Sequence, residues 1–212
     1  MNVNIDEKTL NIVREMLSKV KNEIKIFYFA LSTQQESSSD IVEEILSLLN
    51  DLNDKIRIIK VTRESSLIKK FKIEKFPALV IHGEMEYNIR YFGTPIGYEF
   101  GVLIEDIIDV SKGKPDLPEN IINALVSIDK EVHIQVFVTP TCPYCPTIAR
   151  AAHMYAIVNL NIISDVIEAN EFPDLIEKYN IYAVPKVVIN EEVEFEGIVP
   201  HEFFIEKILE AL

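Results

Sequence analysis

Cysteine is scarce in this sequence: the 212 residues include two, Cys142 and Cys145, both in the stretch TCPYCP. No apolar run approaches the ~20 residues that cross a bilayer. The N-terminal MNVNIDEKTL lacks the basic start and apolar core of a secretory signal. These absences predict a cytoplasmic protein without membrane contact. Because structural disulfides are uncommon in that reducing compartment, the cysteine pair indicates redox chemistry or metal binding.

Positively charged residues are fewer than negatively charged ones. The chain has 21 Lys and Arg against 34 Asp and Glu, a net charge of −13, and residues 118–212 hold 5 of the former and 15 of the latter, a net of −10. No basic patch with interleaved aromatic residues is present, which argues against nucleic-acid binding. The acidic half repels phosphate and anionic lipid, and it favours a protein partner with a neutral or basic face.

The sequence repeats itself once. NEIKIFYFALS is similar to KEVHIQVFVTP, and FPALVIHGEMEYNIRYFG is similar to VPKVVINEEVEFEG. The offset is 108 residues both from Glu23 to Glu131 and from Pro77 to Pro185. A constant offset at both ends of a unit indicates a tandem duplication. Glycine and prolines in SKGKPDLPEN place the boundary between the copies, so we predict units at 1–116 and 117–212.

Each copy carries the same order of elements: helix, strand, long helix, strand, short helix, two antiparallel strands and a last helix. Apolar residues at helical spacing predict the helices, and β-branched runs predict the strands. The predicted strands are 24–29, 56–61, 78–81, 87–92, 132–138, 160–163, 186–189 and 192–196. A βαβ crossover joined to a β-hairpin predicts an α/β fold. We expect two small mixed sheets, each flanked by helices.

The two cysteines lie where a strand of the second copy gives way to a helix. Pro143 suits the first helical position because its missing N–H would be unpaired there anyway. Cys142 is therefore the expected N-cap, where free N–H groups and the helix dipole favour its thiolate. Cys145 lies one turn further on the same face, so one sulfur can attack a disulfide and the other can resolve the mixed disulfide. Pro146 cannot donate to the Cys142 carbonyl, which predicts an irregular first turn.

A structural disulfide and a metal site are the alternatives for the pair. A disulfide that closes so short a loop constrains the unfolded chain little. A zinc site needs about four ligands, and no histidine has finger-like spacing to Cys142; the histidines are His82, His133, His153 and His201. We expect no metal or cofactor within one chain, while a metal shared between two chains stays open.

TCPYCP at a strand-to-helix turn, followed by AVPKVVINEEVEFEG, resembles the thioredoxin/glutaredoxin superfamily. With RYFGTPIGYEF and TPTCPYCPTIARAAHMYA, the duplicated chain is similar to the archaeal-type protein disulfide oxidoreductases, which consist of two thioredoxin folds. The resemblance implies Cys142 as the nucleophile and Cys145 as the resolving thiol. It implies that Val184-Pro185 is a cis-proline turn that binds substrate, together with Pro143 and Tyr144.

The resemblance also implies a buried carboxylate near the sulfurs that accepts a proton. The thioredoxin position six residues before Cys142 is Val136 here, which leaves Asp165 or Glu168 as candidates. CPYC itself is frequent in glutaredoxins, but the Gly-Gly pair typical of their glutathione site is missing from EVEFEGIVPHE. We therefore do not expect dedicated glutathione chemistry.

The first copy departs from this family because LSTQQESSSDIVEE contains no cysteine. The constant offset places Gln34 and Ser37 at the positions of the pair, and a compensated insertion would place Glu36 and Ser39 there. The first unit is thus expected to be redox-inactive. Its role is open between a packing platform and a docking site for a partner.

The sequence as a whole predicts a protein dithiol–disulfide oxidoreductase that acts through Cys142 and Cys145 of the second unit. An inactive fold before an active one also resembles the N-terminal electron-transfer module of the alkyl hydroperoxide reductase flavoprotein, which relays electrons from a flavin-bound dithiol to a peroxiredoxin. No flavin or nicotinamide domain is present, so we expect a separate thioredoxin-reductase-like flavoprotein and protein substrates as partners. A non-catalytic client-binding or assembly protein is a further alternative.

Overall fold

The computed structural model describes residues 6–30, 36–62 and 64–212, with the side chains of all of these except 36 and 37. The elements of the first half are α1 Glu7–Leu17, β1 Ile24–Phe29, α2 Glu36–Leu52, β2 Ile56–Val61, α3 Leu67–Lys70, β3 Ala78–His82, β4 Ile89–Phe92 and α4 Tyr98–Lys112. Those of the second half are α5 Glu119–Val126, β5 Val132–Val138, α6 Cys145–Val158, β6 Ile162–Glu168, α7 Pro173–Lys178, β7 Lys186–Ile189, β8 Val193–Glu196 and α8 His201–Glu210, with a 3₁₀ turn at Ala169–Glu171.

The eight strands form one continuous sheet in the order β2-β1-β3-β4-β6-β5-β7-β8. Within each half, one parallel pair and two antiparallel pairs make a small mixed sheet, so the predicted fold class is confirmed. The two small sheets join because β4 pairs in parallel with β6, with Ile89 opposite Ser164 and Phe92 opposite Ile167. The sequence did not predict this junction, because the residues of an edge strand do not show which other strand it pairs with.

Strand β6 is the one strand whose predicted position was clearly wrong. The sequence predicted 160–163, whereas the strand runs from Ile162 to Glu168. Ser164 and Asp165 interrupt its apolar pattern, yet both are buried because β6 has neighbours on either side. A strand inside a sheet tolerates such polar residues when they find partners or small spaces.

The alternation of side chains along the strands creates two cores, one on each face of the sheet. Val136, Val138 and Val166 belong to the core that also contains Cys142 and Cys145. Phe137 and Ile167, which alternate with them, belong to the core on the other face. Helix α6, which begins at Cys145, packs mainly against α4 of the first half. The first half therefore covers part of the helix that carries the cysteine pair.

The predicted boundary at 116/117 lies in the connection between α4 and α5. The continuous sheet crosses this boundary through β4 and β6, and the division of the chain into units at 1–116 and 117–212 stays a prediction. Among the helices that the structure describes, none has both the length and the apolar character to cross a bilayer.

Candidate active site

Cys142 and Cys145 form a disulfide in the turn between β5 and α6, with their Cα atoms 5.5 Å apart. Cys145 is completely buried, whereas Cys142 keeps 9% of its surface exposed. Pro143 and Tyr144 between them are exposed. Of the two sulfurs, Cys142 is thus the one that an incoming partner can reach.

Helix α6 begins at Cys145 with Tyr144 as its N-cap, two residues later than the expected N-cap at Cys142. The Cys142 N–H donates to the Thr139 carbonyl (3.1 Å), so Cys142 belongs to the turn before the helix. Pro146 has no N–H to donate to the Cys142 carbonyl, which delays the first helical turn. The Cys145 N–H nevertheless donates to Cys142 Sγ at 3.1 Å. The sulfur therefore receives the hydrogen bond that an N-cap side chain would receive.

The Val184-Pro185 peptide bond is cis and lies against the disulfide. The Val184 carbonyl oxygen is 3.7 Å from Cys142 Sγ, and the Pro185 carbonyl accepts from the Gly197 N–H at 2.9 Å. The first half repeats this arrangement, because Phe76-Pro77 is also cis and the Pro77 carbonyl accepts from the Gly93 N–H at 2.9 Å. The structure thus brings Cys142, Cys145, Val184 and Pro185 together, while their roles toward a substrate remain predictions.

The two carboxylates proposed from the sequence lie on opposite faces of the sheet. Asp165 faces the other side of the sheet, where it pairs with Arg90 Nε (2.6 Å) and His133 Nε2 (2.7 Å). Burial raises the pKa of Asp165, but Arg90 and His133 outweigh it and hold the pKa below its usual value. Glu168 lies on the cysteine side, yet its oxygens accept from the Glu171 N–H (2.8 Å) and from Asn170 (2.7 Å). The position of Asp165 excludes it, whereas Glu168, whose pKa burial raises above its usual value, stays a candidate.

A third carboxylate, Glu99, comes from the first turn of α4 in the cysteine-free half. Only 2% of its surface is exposed, and within the described residues neither carboxylate oxygen has a hydrogen-bond partner. Burial, with a further contribution from Asp106, raises the pKa of Glu99 to about 8. Glu99 lines a narrow crevice at the junction of the halves together with Val138, the last residue of β5, and Glu168. Sequence reasoning missed this residue because the second half supplies the surface that buries it.

The first half reaches the cysteine turn through the loop before α4. The Tyr98 N–H donates to the carbonyl of Pro140, two residues before Cys142, at 3.1 Å. Gly97 has a φ of 62°, and a Cβ atom there would lie 2.1 Å from the Pro140 carbonyl oxygen. Only glycine permits this close approach. The loop thereby fixes Tyr98 and Glu99 beside the turn that carries Cys142.

A buried ionic cluster joins α4 to α6 behind this loop. Asp106 is completely buried and is contacted by the Tyr91 hydroxyl, the Arg150 guanidinium and His153 Nδ1. Arg150 also reaches Asp109 and Glu105. Burial raises the pKa of Asp106, but His153 and Arg150 outweigh it and lower the pKa below its usual value. The cluster anchors the cysteine-bearing helix to the cysteine-free half.

The remaining candidates do not assemble into a second site. His133 and His153 pair with carboxylates as described, His201 contacts the Tyr155 hydroxyl, and burial lowers the pKa of His82 to about 4. In the described part of the chain, no group of three His, Cys, Asp or Glu residues is arranged to hold a metal ion. Gln34 and the side chains of Glu36 and Ser37 lie outside the described residues. Ser39 is buried, and its carbonyl accepts from the Tyr28 hydroxyl at 3.1 Å.

Residues 132–210 match the family of thioredoxin domains. The second half has a thioredoxin-like fold. The whole structure superposes on a protein disulfide oxidoreductase from Aeropyrum pernix with a TM-score of 0.89 and 28% sequence identity, over 99% of this chain and 94% of that one. The predicted resemblance to this type of protein is confirmed.

Two curated relatives match most of this chain but are much longer proteins. A protein named NADH dehydrogenase from Ferdinandcohnia aciditolerans is 28% identical over 174 residues, which are 81% of this chain and 31% of that protein. The F component of alkyl hydroperoxide reductase in Staphylococcus aureus is 28% identical over 166 residues, 77% of this chain and 30% of that protein. The chain therefore spans less than a third of the length of these relatives.

Proposed function

We propose that this chain is a protein dithiol–disulfide oxidoreductase that acts through Cys142 and Cys145. One observation carries the proposal: a closed disulfide at the start of α6 faces a cis-proline turn and exposes only its Cys142 edge. The class itself, a thioredoxin-fold thiol–disulfide oxidoreductase, is the one that the sequence predicts. The match to the Aeropyrum pernix protein and the closed pair confirm that class.

The geometry supports distinct roles for the two sulfurs. In the reduced form, the Cys145 N–H at 3.1 Å and the start of α6 stabilise a thiolate on Cys142. That thiolate attacks one sulfur of a substrate disulfide, forms a mixed disulfide and releases the other sulfur as a thiolate. The buried Cys145 then loses its proton and attacks Cys142, which releases the second substrate thiol and leaves the Cys142–Cys145 disulfide. Run in reverse, the same steps oxidise a dithiol.

Glu99 is the group that we assign to accept the Cys145 proton. Its pKa of about 8 is close to the ordinary thiol value of about 8.5, so the ionised fraction that can accept a proton is a minority at pH 7 and becomes the majority above pH 8. Its oxygens are free of partners among the described residues. The helix that carries it, α4, is fixed at its first residue to Pro140 through the Tyr98 N–H. In this proposal the cysteine-free half completes the active site of the other half.

The electron-relay function is the second candidate, and the match to the F component of alkyl hydroperoxide reductase favours it. In that case a thioredoxin-reductase-like flavoprotein would reduce the Cys142–Cys145 disulfide, and a peroxiredoxin would be the protein that it reduces in turn. Both cysteines of the chain belong to this pair, so neither is left for a structural disulfide elsewhere. We therefore include in the proposal a reducing, cytoplasmic setting, in which structural disulfides are uncommon.

Insulin reduction separates an oxidoreductase from a protein that only binds clients. With dithiothreitol as the reductant, the wild-type chain should accelerate the precipitation of insulin, and Cys142→Ser should abolish the acceleration. Cys145→Ser should instead trap a mixed disulfide with insulin, because the attacking sulfur is still present. Equal rates with the wild type and Cys142→Ser would contradict the proposal and favour the client-binding alternative.

A further inference from the structure

Four exposed apolar side chains lie on the segments that carry or contact the cysteine turn and the cis-proline turn, and one of them comes from the cysteine-free half. Tyr144 follows Cys142 by two residues, Tyr182 precedes Val184 by two, and Ile198 follows Gly197, whose N–H donates to Pro185. Tyr98 comes from the first half and is bonded through its N–H to Pro140. Their exposed fractions are 52% for Tyr98, 63% for Tyr144, 90% for Tyr182 and 50% for Ile198. We call these four residues the apolar collar.

The collar has the composition of a docking surface. Tyrosines combine a large apolar area with a polar tip and are enriched at the centres of protein interfaces. Its surroundings are acidic, because residues 118–212 carry a net charge of −10 and the exposed Glu196 and Glu202 flank Ile198 in the sequence. A partner segment that fits both features has apolar residues beside its disulfide and basic residues further out.

We propose that Tyr98 of the cysteine-free half is a specificity-determining residue that docks an apolar, basic segment of a protein disulfide over Cys142. This inference rests on the proposed exchange reaction and names the partner chemistry that the reaction selects. The backbone hydrogen bond from Tyr98 to Pro140 holds this residue beside the reactive turn even though it belongs to the other half. The duplication thus retains its first copy as part of the docking surface.

The test compares a peptide disulfide with a small one. The first substrate is a cyclic peptide whose cystine is flanked by leucines and then by lysines, and the second is hydroxyethyl disulfide, which is neutral and too small to span the collar. The reduced full-length chain is mixed with an excess of each, and its remaining thiols are counted after acid quench. The readout is the ratio of the second-order rate constants for the two substrates.

We expect Tyr98→Ala to lower this ratio about 10-fold, the size typical of an aromatic anchor residue. Tyr98→Phe should keep most of the ratio because it retains the ring. The matched control is Met85→Ala. Met85 is similarly exposed (50%), but it lies in the turn between β3 and β4, at the end of β3 opposite to Pro77. A peptide with glutamate in place of lysine should react more slowly, by a margin that shrinks as salt is added.

Three results would overturn the inference. They are an unchanged ratio in Tyr98→Ala, equal rates for the lysine and glutamate peptides, and a wild-type dimer in sedimentation that Tyr98→Ala dissociates, which would assign the collar to a second copy of the chain. A wild-type chain that fails to react even with hydroxyethyl disulfide contradicts the exchange reaction itself. Failure of the proposed function is thereby distinguished from failure of the docking role.

Discussion

Replacing Glu99 by glutamine tests the assignment of the buried carboxylate most directly. Glu99 has a pKa near 4.5 when the chain is unfolded and about 8 in the folded protein. Below pH 4.5 the group is protonated in both states and does not affect the pH dependence of stability. Between 4.5 and 8 the unfolded chain loses the proton while the folded chain keeps it, so folding stability falls as the pH rises. Above 8 the full penalty is present.

The magnitude follows from the two pKa values. Their difference of about 3.5, at ~1.4 kcal/mol per pH unit, corresponds to about 5 kcal/mol above pH 8. Glutamine fits the same space and carries no charge at any pH. Glu99→Gln should therefore be more stable than the wild type by a margin that grows from pH 5 to pH 9. Above pH 8, where most of Glu99 is ionised in the folded wild type, the gain should accompany a loss of exchange rate of about 100-fold, because the proton acceptor is gone; at pH 7 the loss should be smaller.

Urea unfolding of the oxidised protein at several pH values measures this margin, since the closed disulfide keeps the cysteines from titrating. The matched control is Glu202→Gln: YEF at Tyr98–Phe100 corresponds to HEF at His201–Phe203 in the second copy, but Glu202 is exposed. Its stability difference should stay near zero throughout. A Glu99→Gln margin that is independent of pH would refute the pKa argument, and unimpaired exchange would refute the role in proton transfer.

Two further predictions follow from burial. In the reduced chain, iodoacetamide should alkylate Cys142 ~10-fold or more faster than Cys145 at pH 7, because Cys142 is the more exposed of the two and the proposed thiolate. Comparable rates, read by fragmenting the tryptic peptide 131–150 that contains both cysteines, would contradict the assigned roles. Asp106→Asn should lower the free energy of unfolding by ~3–5 kcal/mol, because Arg150 and His153 lose their buried partner. Urea unfolding at pH 7 measures this, and a loss below that of the exposed Glu105→Gln would show that the cluster is not an anchor.

The sequence predicted the elements that depend on local pattern. Strands β1 and β5 are nearly continuous apolar runs, and their predicted bounds match the observed ones. The cysteine pair and Val184-Pro185 were found because TCPYCP and AVPK are short motifs that keep their spacing in the superfamily. Motifs of this kind consist of residues that are neighbours in the sequence, so they can be recognised without the tertiary structure.

The parts that the sequence did not predict depend on contacts between the halves. The pairing of β4 with β6, the burial of Asp165 on the far face and the isolation of Glu99 all follow from how one copy packs on the other. Nothing in the letters YEF and HEF distinguishes the buried Glu99 from the exposed Glu202. A duplicated sequence predicts two similar surfaces, one on each half. Which of the two is buried depends on how the halves pack together in the continuous sheet.

The structure also bears on the role of the cysteine-free half, which the sequence left open between a packing platform and a docking site. A pure packing platform would need only the apolar contacts of α4 with α6 and the pairing of β4 with β6. The start of α4 has two features that packing does not need. Glu99 faces the crevice beside Val138, and the exposed Tyr98 is bonded through its N–H to Pro140. Gly97 permits that close approach at a φ of 62°. Adjacent residues with opposite exposure, at the start of the helix that contacts Pro140, fit the proposed shared active site, whereas scaffolding alone does not require them.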